Sequence, residues 1–143
     1  MDDLDRKLIE HLGKNARISL ATLARRVGVA RSTIQARIDR LETQGIIAGY
    51  TLRLGDAAET GWIRATVLLQ VEPRATAAVL SRLNAMTSVE LAHTTSGRFD
   101  LAVQVATSSP EALDAALDKI GATQGVMSSE SLIHLSTKID RRV

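Results

Sequence analysis

Residues 20–41 read LATLARRVGVARSTIQARIDRL, and they decide the fold of the first third of the chain. Leu20, Leu23, Ala24 and Val27 recur at helical spacing behind Ser19, a residue suited to cap a helix. Gly28 stands where a tight turn needs a residue tolerant of positive φ. Val29 and Ile34 pin a second helix, which carries Ile34, Ile38 and Leu41 inward and stops before Gly45. Small Ala24 lets the two helices approach closely. This is the helix-turn-helix pattern. At ~100° per residue, Ser32, Ala36 and Arg40 lie opposite Ile34 and Ile38. Gln35 and Asp39 fall on one flank of that face and Thr33 on the other.

The polar face has chemistry suited to DNA. Ser32, Gln35 and Arg40 can read base edges or hold phosphate, since Gln pairs with adenine and Arg with guanine or phosphate. Arg31 is at the first turn, where phosphates meet helix N-termini. Arg17, Arg25 and Arg26 can flank the site as phosphate contacts or form a solvated basic face. Arg37 lies nearer the core edge, placed to support the helix pair or reach the DNA backbone. Asp39 would repel phosphate unless it accepts a bond from cytosine N4 or pairs with a nearby Arg. Residues 1–55 hold ten Lys and Arg against six Asp and Glu, while the remainder holds eight against ten. A basic first third on a mildly acidic remainder points to a polyanion partner for the first part alone.

Upstream, Leu4, Leu8, Ile9 and Leu12 mark another helix, capped by Asp2 or Asp3 and ended by Gly13. Downstream, Ile46 to Leu54 reads as extended. The expected division is a winged helix-turn-helix over 1–54, a linker over 55–61 and a second domain over 62–143. In that domain Ile63, Ala65, Val67, Leu69 and Val71 alternate as in a half-buried strand. A helix past Pro73 carries Thr76, Val79, Leu80 and Leu83. Val89, Leu91 and His93 alternate next, then Leu101, Val103 and Val105 after a turn at Ser96–Phe99. Ser109 and Pro110 open a helix with Leu113, Ala116, Leu117 and Ile120. Ser131, Ile133 and Leu135 alternate in a last strand. The order βαββαβ is ferredoxin-like, so the whole chain is α+β. Two helices cover one sheet face, and a second copy of the chain is the natural cover for the other.

Composition narrows the function classes. There is no cysteine among the 143 residues, which excludes a disulfide scaffold or thiolate metal site. His11, His93 and His134 stand apart without metal-ligand spacing, so no metal or cofactor is expected. A hydrogen-bonded structural role suits His93 and His134. No nucleophile elbow, phosphate loop or carboxylate pair points to an enzyme. The acidic start lacks the basic and apolar regions of a signal peptide, and no apolar run approaches a membrane span. The expected setting is cytoplasmic and nucleoid-associated.

Specific runs carry a resemblance. They are Leu4-Asp5-Arg6-Lys7-Leu8-Ile9, Asn15-Ala16-Arg17-Ile18-Ser19, Leu23-Ala24-Arg25-Arg26-Val27-Gly28-Val29, Arg37-Ile38-Asp39-Arg40-Leu41-Glu42 and Gly45-Ile46-Ile47-Ala48-Gly49-Tyr50. They continue through Ser96-Gly97-Arg98-Phe99-Asp100, Gly125-Val126 and Leu135-Ser136-Thr137. In order and spacing they resemble the leucine-responsive/asparagine regulator (Lrp/AsnC) family. The resemblance implies a DNA-binding transcriptional regulator whose third helix reads double-stranded DNA. Arg17, Arg25, Arg26, Arg31, Ser32, Thr33, Gln35, Ala36, Arg37 and Arg40 are its candidate DNA contacts. It also implies a dimer, often built into tetramers or octamers, and a second domain that binds an amino acid or related metabolite. Where the family often has Ser at the start of the recognition helix, this chain has Ala30, leaving the cap weaker or to Ser32.

The effector residues implied by the resemblance are Thr95, Ser96, Gly97, Arg98, Phe99 and Asp100. Gly97 would let backbone amides approach a carboxylate, and Asp100 would meet an ammonium group. Both also suit a plain tight turn in which Asp100 bonds backbone, and Thr95 and Phe99 suit packing or pairing. Arg98 replaces an acidic residue of many relatives, which favours a more acidic ligand. The competing function is an architectural DNA-binding protein that needs no effector.

Overall fold

The computed structural model describes residues 1–141; the last two positions of the expected 62–143 domain lie outside them. The chain parts into two compact units, one built on Met1–Arg53 and one on Leu54–Asp140.

The first unit is three helices, α1 (Asp3–Lys14), α2 (Leu20–Val27) and α3 (Arg31–Thr43). Asp2 caps α1 in a capping box with Asp5, and Ser19 caps α2 by accepting from the Thr22 amide. α1 runs one residue past Gly13, with Asn15 as its C-cap. Gly28 ends α2 with φ +75°, the left-handed geometry expected of the turn. Leu8, Leu23, Ala24, Ile34 and Ile38 form the core, with Leu4, Leu12, Val27 and Val29 packed around it. Each fully buried Leu or Ile there is worth roughly 1.5–3 kcal/mol.

No strand forms over Ile46–Leu54, which corrects the expected wing. The segment folds back on the end of α3 instead, where the amides of Ile46 and Ile47 donate to the Leu41 carbonyl. A single extended run cannot satisfy its backbone without a partner strand. The stretch expected as a bare linker contains a helical turn, α4 (Asp56–Glu59).

The second unit holds β1 (Ile63–Val71), α5 (Thr76–Asn84), β2 (Val89–Thr94), β3 (Leu101–Thr107), α6 (Pro110–Gly121) and β4 (Val126–Ile133). The sheet order is β2-β3-β1-β4 and each pairing is antiparallel, the ferredoxin-like arrangement. Val67 of β1 stands opposite Val103 of β3 and Ser131 of β4. Alternate residues Ala65, Val67, Leu69 and Val71 are buried with Leu101, Val103 and Val105 against Val79, Leu83, Leu113 and Ile120 of the helices. The fourth strand begins earlier than its alternation suggests and ends at Ile133, leaving Leu135 96% exposed. The pairing of β4 with β1 runs from Val71 opposite Val126 to Ala65 opposite Ile133, and the His134 amide adds one further bond to the Arg64 carbonyl.

The register also defines a second sheet face. It carries Thr66, Leu68 and Gln70 of β1, Ala102 and Gln104 of β3, and Ser128, Glu130 and Leu132 of β4. These positions are half-buried or exposed, because α5 and α6 pack on the other side.

Candidate functional site

The exposed side of α3 presents Arg31, Ser32, Thr33, Gln35 and Ala36, all accessible, while Ile34, Ile38 and Leu41 are buried behind them. Arg25 and Arg26 are exposed in the last turn of α2, and Arg17 is exposed just before it. Arg25 lies 3.4 Å from the Thr22 hydroxyl, and the Arg17 amide donates to Asn15 Oδ1 at 3.0 Å. Asp39 pairs with no arginine among the described residues. It accepts from Gln35 Nε2 at 2.6 Å, which orients the Gln35 amide on the face. No side chain caps α3 at Ala30; Ser32 does not take over the cap, and its hydroxyl makes no hydrogen bond among the described residues.

Arg40 departs from the expectation. Its Cα lies on the outward side of α3, but the guanidinium turns back to α1. There Nη2 donates to both Asp5 oxygens, at 2.9 and 2.7 Å. A helical wheel places Cα atoms, whereas a long arginine can double back to a buried carboxylate. Arg37 joins the same cluster, as its place near the core edge suggested: its Nη1 donates to Asp5 Oδ1 at 3.1 Å and to Asp2 Oδ2. Asp5 is wholly buried. Its carboxyl is held below the usual range, first by the Asp2 backbone N–H and then by Arg37 and Arg40, against the opposing effect of desolvation. Asp2 is lowered to about 2, chiefly by the hydrogen bond from Arg37. Asp5 carried no functional signal in the sequence beyond its place in the Leu4–Ile9 run. Tyr50 donates to Glu42 at 2.7 Å, tying the segment after α3 to the helix end and pushing its own phenol up to about 12.

The second candidate site is the turn between β2 and β3. Gly97 sits there with φ +111°. The Thr95 amide donates to the Asp100 carbonyl at 2.9 Å and its hydroxyl to the Phe99 carbonyl at 2.7 Å. Asp100 Oδ2 accepts from the Val71 amide at 2.8 Å, so its carboxylate anchors the turn to the end of β1. Gln70 Nε2 donates to the Arg98 carbonyl at 2.9 Å, and Gln70 Oε1 accepts from the Ser128 hydroxyl at 2.6 Å. Arg98 lies over the Phe99 ring, 4.9 Å from its centroid, and reaches Glu130 at 3.4 Å. Ser96 is exposed. All six expected residues therefore share one turn beside Gln70 of β1 and Ser128 and Glu130 of β4, three neighbours that only strand register brings in.

Among the described residues no three His, Asp or Glu side chains gather as a metal site. His134 Nε2 lies 2.8 Å from the Thr66 hydroxyl, and His93 is exposed on β2. No helix among the described residues is long and apolar enough to cross a membrane.

Two family models match the chain, the AsnC-type helix-turn-helix domain over residues 1–42 and the Lrp/AsnC ligand binding domain over residues 64–143. The chain belongs to the Lrp/AsnC family of transcriptional regulators. The HTH-type transcriptional regulator FL11 of Pyrococcus furiosus is 32% identical over 94% of this chain and 89% of its own length. The structure of E. coli AsnC superposes with a TM-score of 0.89 at 28% identity, covering 100% of this chain and 97% of that one. A feast or famine regulatory protein from M. tuberculosis, solved in complex with L-methionine, has a TM-score of 0.87 at 31% identity over 99% and 97% of the two chains. Lrp/AsnC proteins are DNA-binding, oligomeric and not enzymes.

Proposed function

We propose that this Lrp/AsnC protein is a sequence-specific transcriptional regulator that reads double-stranded DNA with α3. Its second unit pairs with further copies and binds an amino acid or related small metabolite at the Thr95–Asp100 turn. The observation that carries the DNA reading is the outward row Arg31, Ser32, Thr33, Gln35 and Ala36. It rests on a buried aliphatic stripe and is flanked by exposed Arg17, Arg25 and Arg26. Base-edge donors and acceptors sit on the helix, and cations that can meet phosphate sit beside it. The ligand reading rests on the match to the ligand binding domain and on the L-methionine found with the M. tuberculosis relative. Arg98 adds a cation at the turn and favours a ligand with an acidic group.

The test has two arms. The protein is first used to select duplexes from a random pool, and a specific regulator should prefer the recovered sequence over a scrambled one by ~10³ or more. Thermal shift is then run against the twenty amino acids and a set of 2-oxo acids. A ligand bound only by the folded state at a hundredfold excess over Kd adds ~2.7 kcal/mol.

One observation favours an effector-independent, architectural role. The turn is internally bonded, with Asp100 engaged by Val71 and Arg98 by Glu130. Equal binding to selected and scrambled duplexes, with no thermal shift from any compound, would establish that second reading.

A further inference from the structure

We infer that Asp5 is the positioning residue for DNA recognition, and that Arg37 and Arg40 serve as its counter-charges on the recognition helix and not as DNA contacts. The inference rests on the reading of α3 as the recognition helix.

Consider what fixes the rotation of α3 about its own axis. Ile34, Ile38 and Leu41 seat it on the core, but apolar burial is non-directional. Its N-terminus has no side-chain cap. Directional bonds to α1 come from Arg37 and Arg40, one turn apart, converging on a single buried carboxylate. Asp5 is itself locked: the Asp2 amide donates to its Oδ2 at 2.9 Å, and its own amide donates to Asp2 Oδ1 at 3.0 Å. Recognition side chains must be held within ~0.5 Å and 10–20° of their working geometry. Charge-assisted hydrogen bonds to a buried group provide that register.

Charge balance argues against phosphate binding by the same two arginines. Arg37 and Arg40 face Asp2 and Asp5, so the cluster is neutral as a whole. A phosphate approaching it would meet two carboxylates as well as two cations. Arg17, Arg25, Arg26 and Arg31 have no carboxylate partner among the described residues and remain the basic flank.

The contact geometry supplies the test. Arg40 bonds Asp5 through one nitrogen, Nη2, a bond that an ammonium can also make. Reading guanine needs the two-pronged guanidinium fork. Binding would be measured by fluorescence anisotropy on the selected duplex and its scrambled counterpart, from 50 to 200 mM salt (roughly the range in which counterion release shows). Asp5→Asn, Arg40→Lys and Arg40→Gln would be compared at a temperature where circular dichroism shows each folded. Asp5→Asn is expected to lose discrimination between the duplexes by about tenfold with an unchanged salt slope. Arg40→Lys is expected to keep discrimination within about threefold. Arg40→Gln should lose discrimination but keep the slope. The inference is overturned if Arg40→Lys discriminates no better than Arg40→Gln, because that marks a fork contact to a base. It is also overturned if Arg40→Gln lowers the slope by about one phosphate's worth, ~0.9. Asp5→Asn binding the selected duplex as tightly and selectively as the unaltered protein would overturn it as well. If Asp5→Asn does not fold, the two Arg40 variants still decide. Failure of the unaltered protein to bind either duplex would sink the DNA-binding reading itself and this inference with it.

Discussion

A carboxylate taken out of water is stable only among donors, and Asp5 accepts four hydrogen bonds while fully buried. Those hydrogen bonds have a pH signature. Asp2 and Asp5 titrate lower in the folded protein than their ordinary value of 3.8. Groups lowered in this way contribute stability that is complete above the unfolded pKa and lost as pH falls through the folded one. Acid titration followed by helical circular dichroism should show the first unit losing stability from about pH 4 towards pH 2. Asp5→Asn should flatten that loss; an identical profile would refute the link. Glycines give a second contrast at this scale. A Cβ on Gly125 would lie 2.4 Å from Ala75 Cβ, with φ at +99°, whereas one on Gly97 would meet nothing within 4 Å at φ +111°. Gly125→Ala should therefore cost about 2–4 kcal/mol, strain plus overpacking, and Gly97→Ala only the backbone part, about 1–2 kcal/mol. Equal losses in urea unfolding would show that the Ala75 contact relaxes freely.

Among the elements, α3 lacks the side-chain cap that α1, α2 and α6 have. α2 and α6 have serine caps at Ser19 and Ser109, while α3 begins at Ala30 with an extended backbone and no capping side chain. Ala30→Ser should stabilise the first unit by about 1 kcal/mol, read as a higher melting temperature. No gain would mean that packing already holds the first turn. The α3 cap was open to question from sequence because Ala30 lacks an oxygen. What replaces it was not legible, since Asp5 lies on another helix and nothing in spacing joins it to Arg40. The strands divide similarly. Alternation identified β1 and β3 with their buried faces, whereas in β2 an irregularity between Val89 and Leu91 puts Val89 and Ala92 against the core and leaves Leu91 and His93 exposed. The limits of β4 are set by its pairing with β1 and not by local pattern.

At the scale of the molecule, the sheet face carrying Leu68, Ala102, Gln104 and Leu132 is left uncovered by α5 and α6. A second copy is the cover expected in an oligomeric family. Leu68 stands on β1 opposite Ala102 and Glu130, so Leu68→Glu would set like charges side by side in the middle of that face. Sedimentation should then show a smaller species than the unaltered protein, and DNA affinity should fall with the loss of paired half-sites. Unchanged sedimentation would place the contact between copies elsewhere.

The sequence by itself determined the two-part architecture, the helix-turn-helix, the βαββαβ order and the two clusters of candidate residues. Those follow from periodicity, caps and glycine stops, all of which act within a few residues. Tertiary structure alone decided that Arg37 and Arg40 turn to Asp5. It also decided that Asp100 anchors its turn to Val71 and that Ile46–Leu54 forms no strand. Each of these depends on a partner distant in the chain or on the lack of one, and the burial of a charge or a backbone amide takes its meaning from that partner.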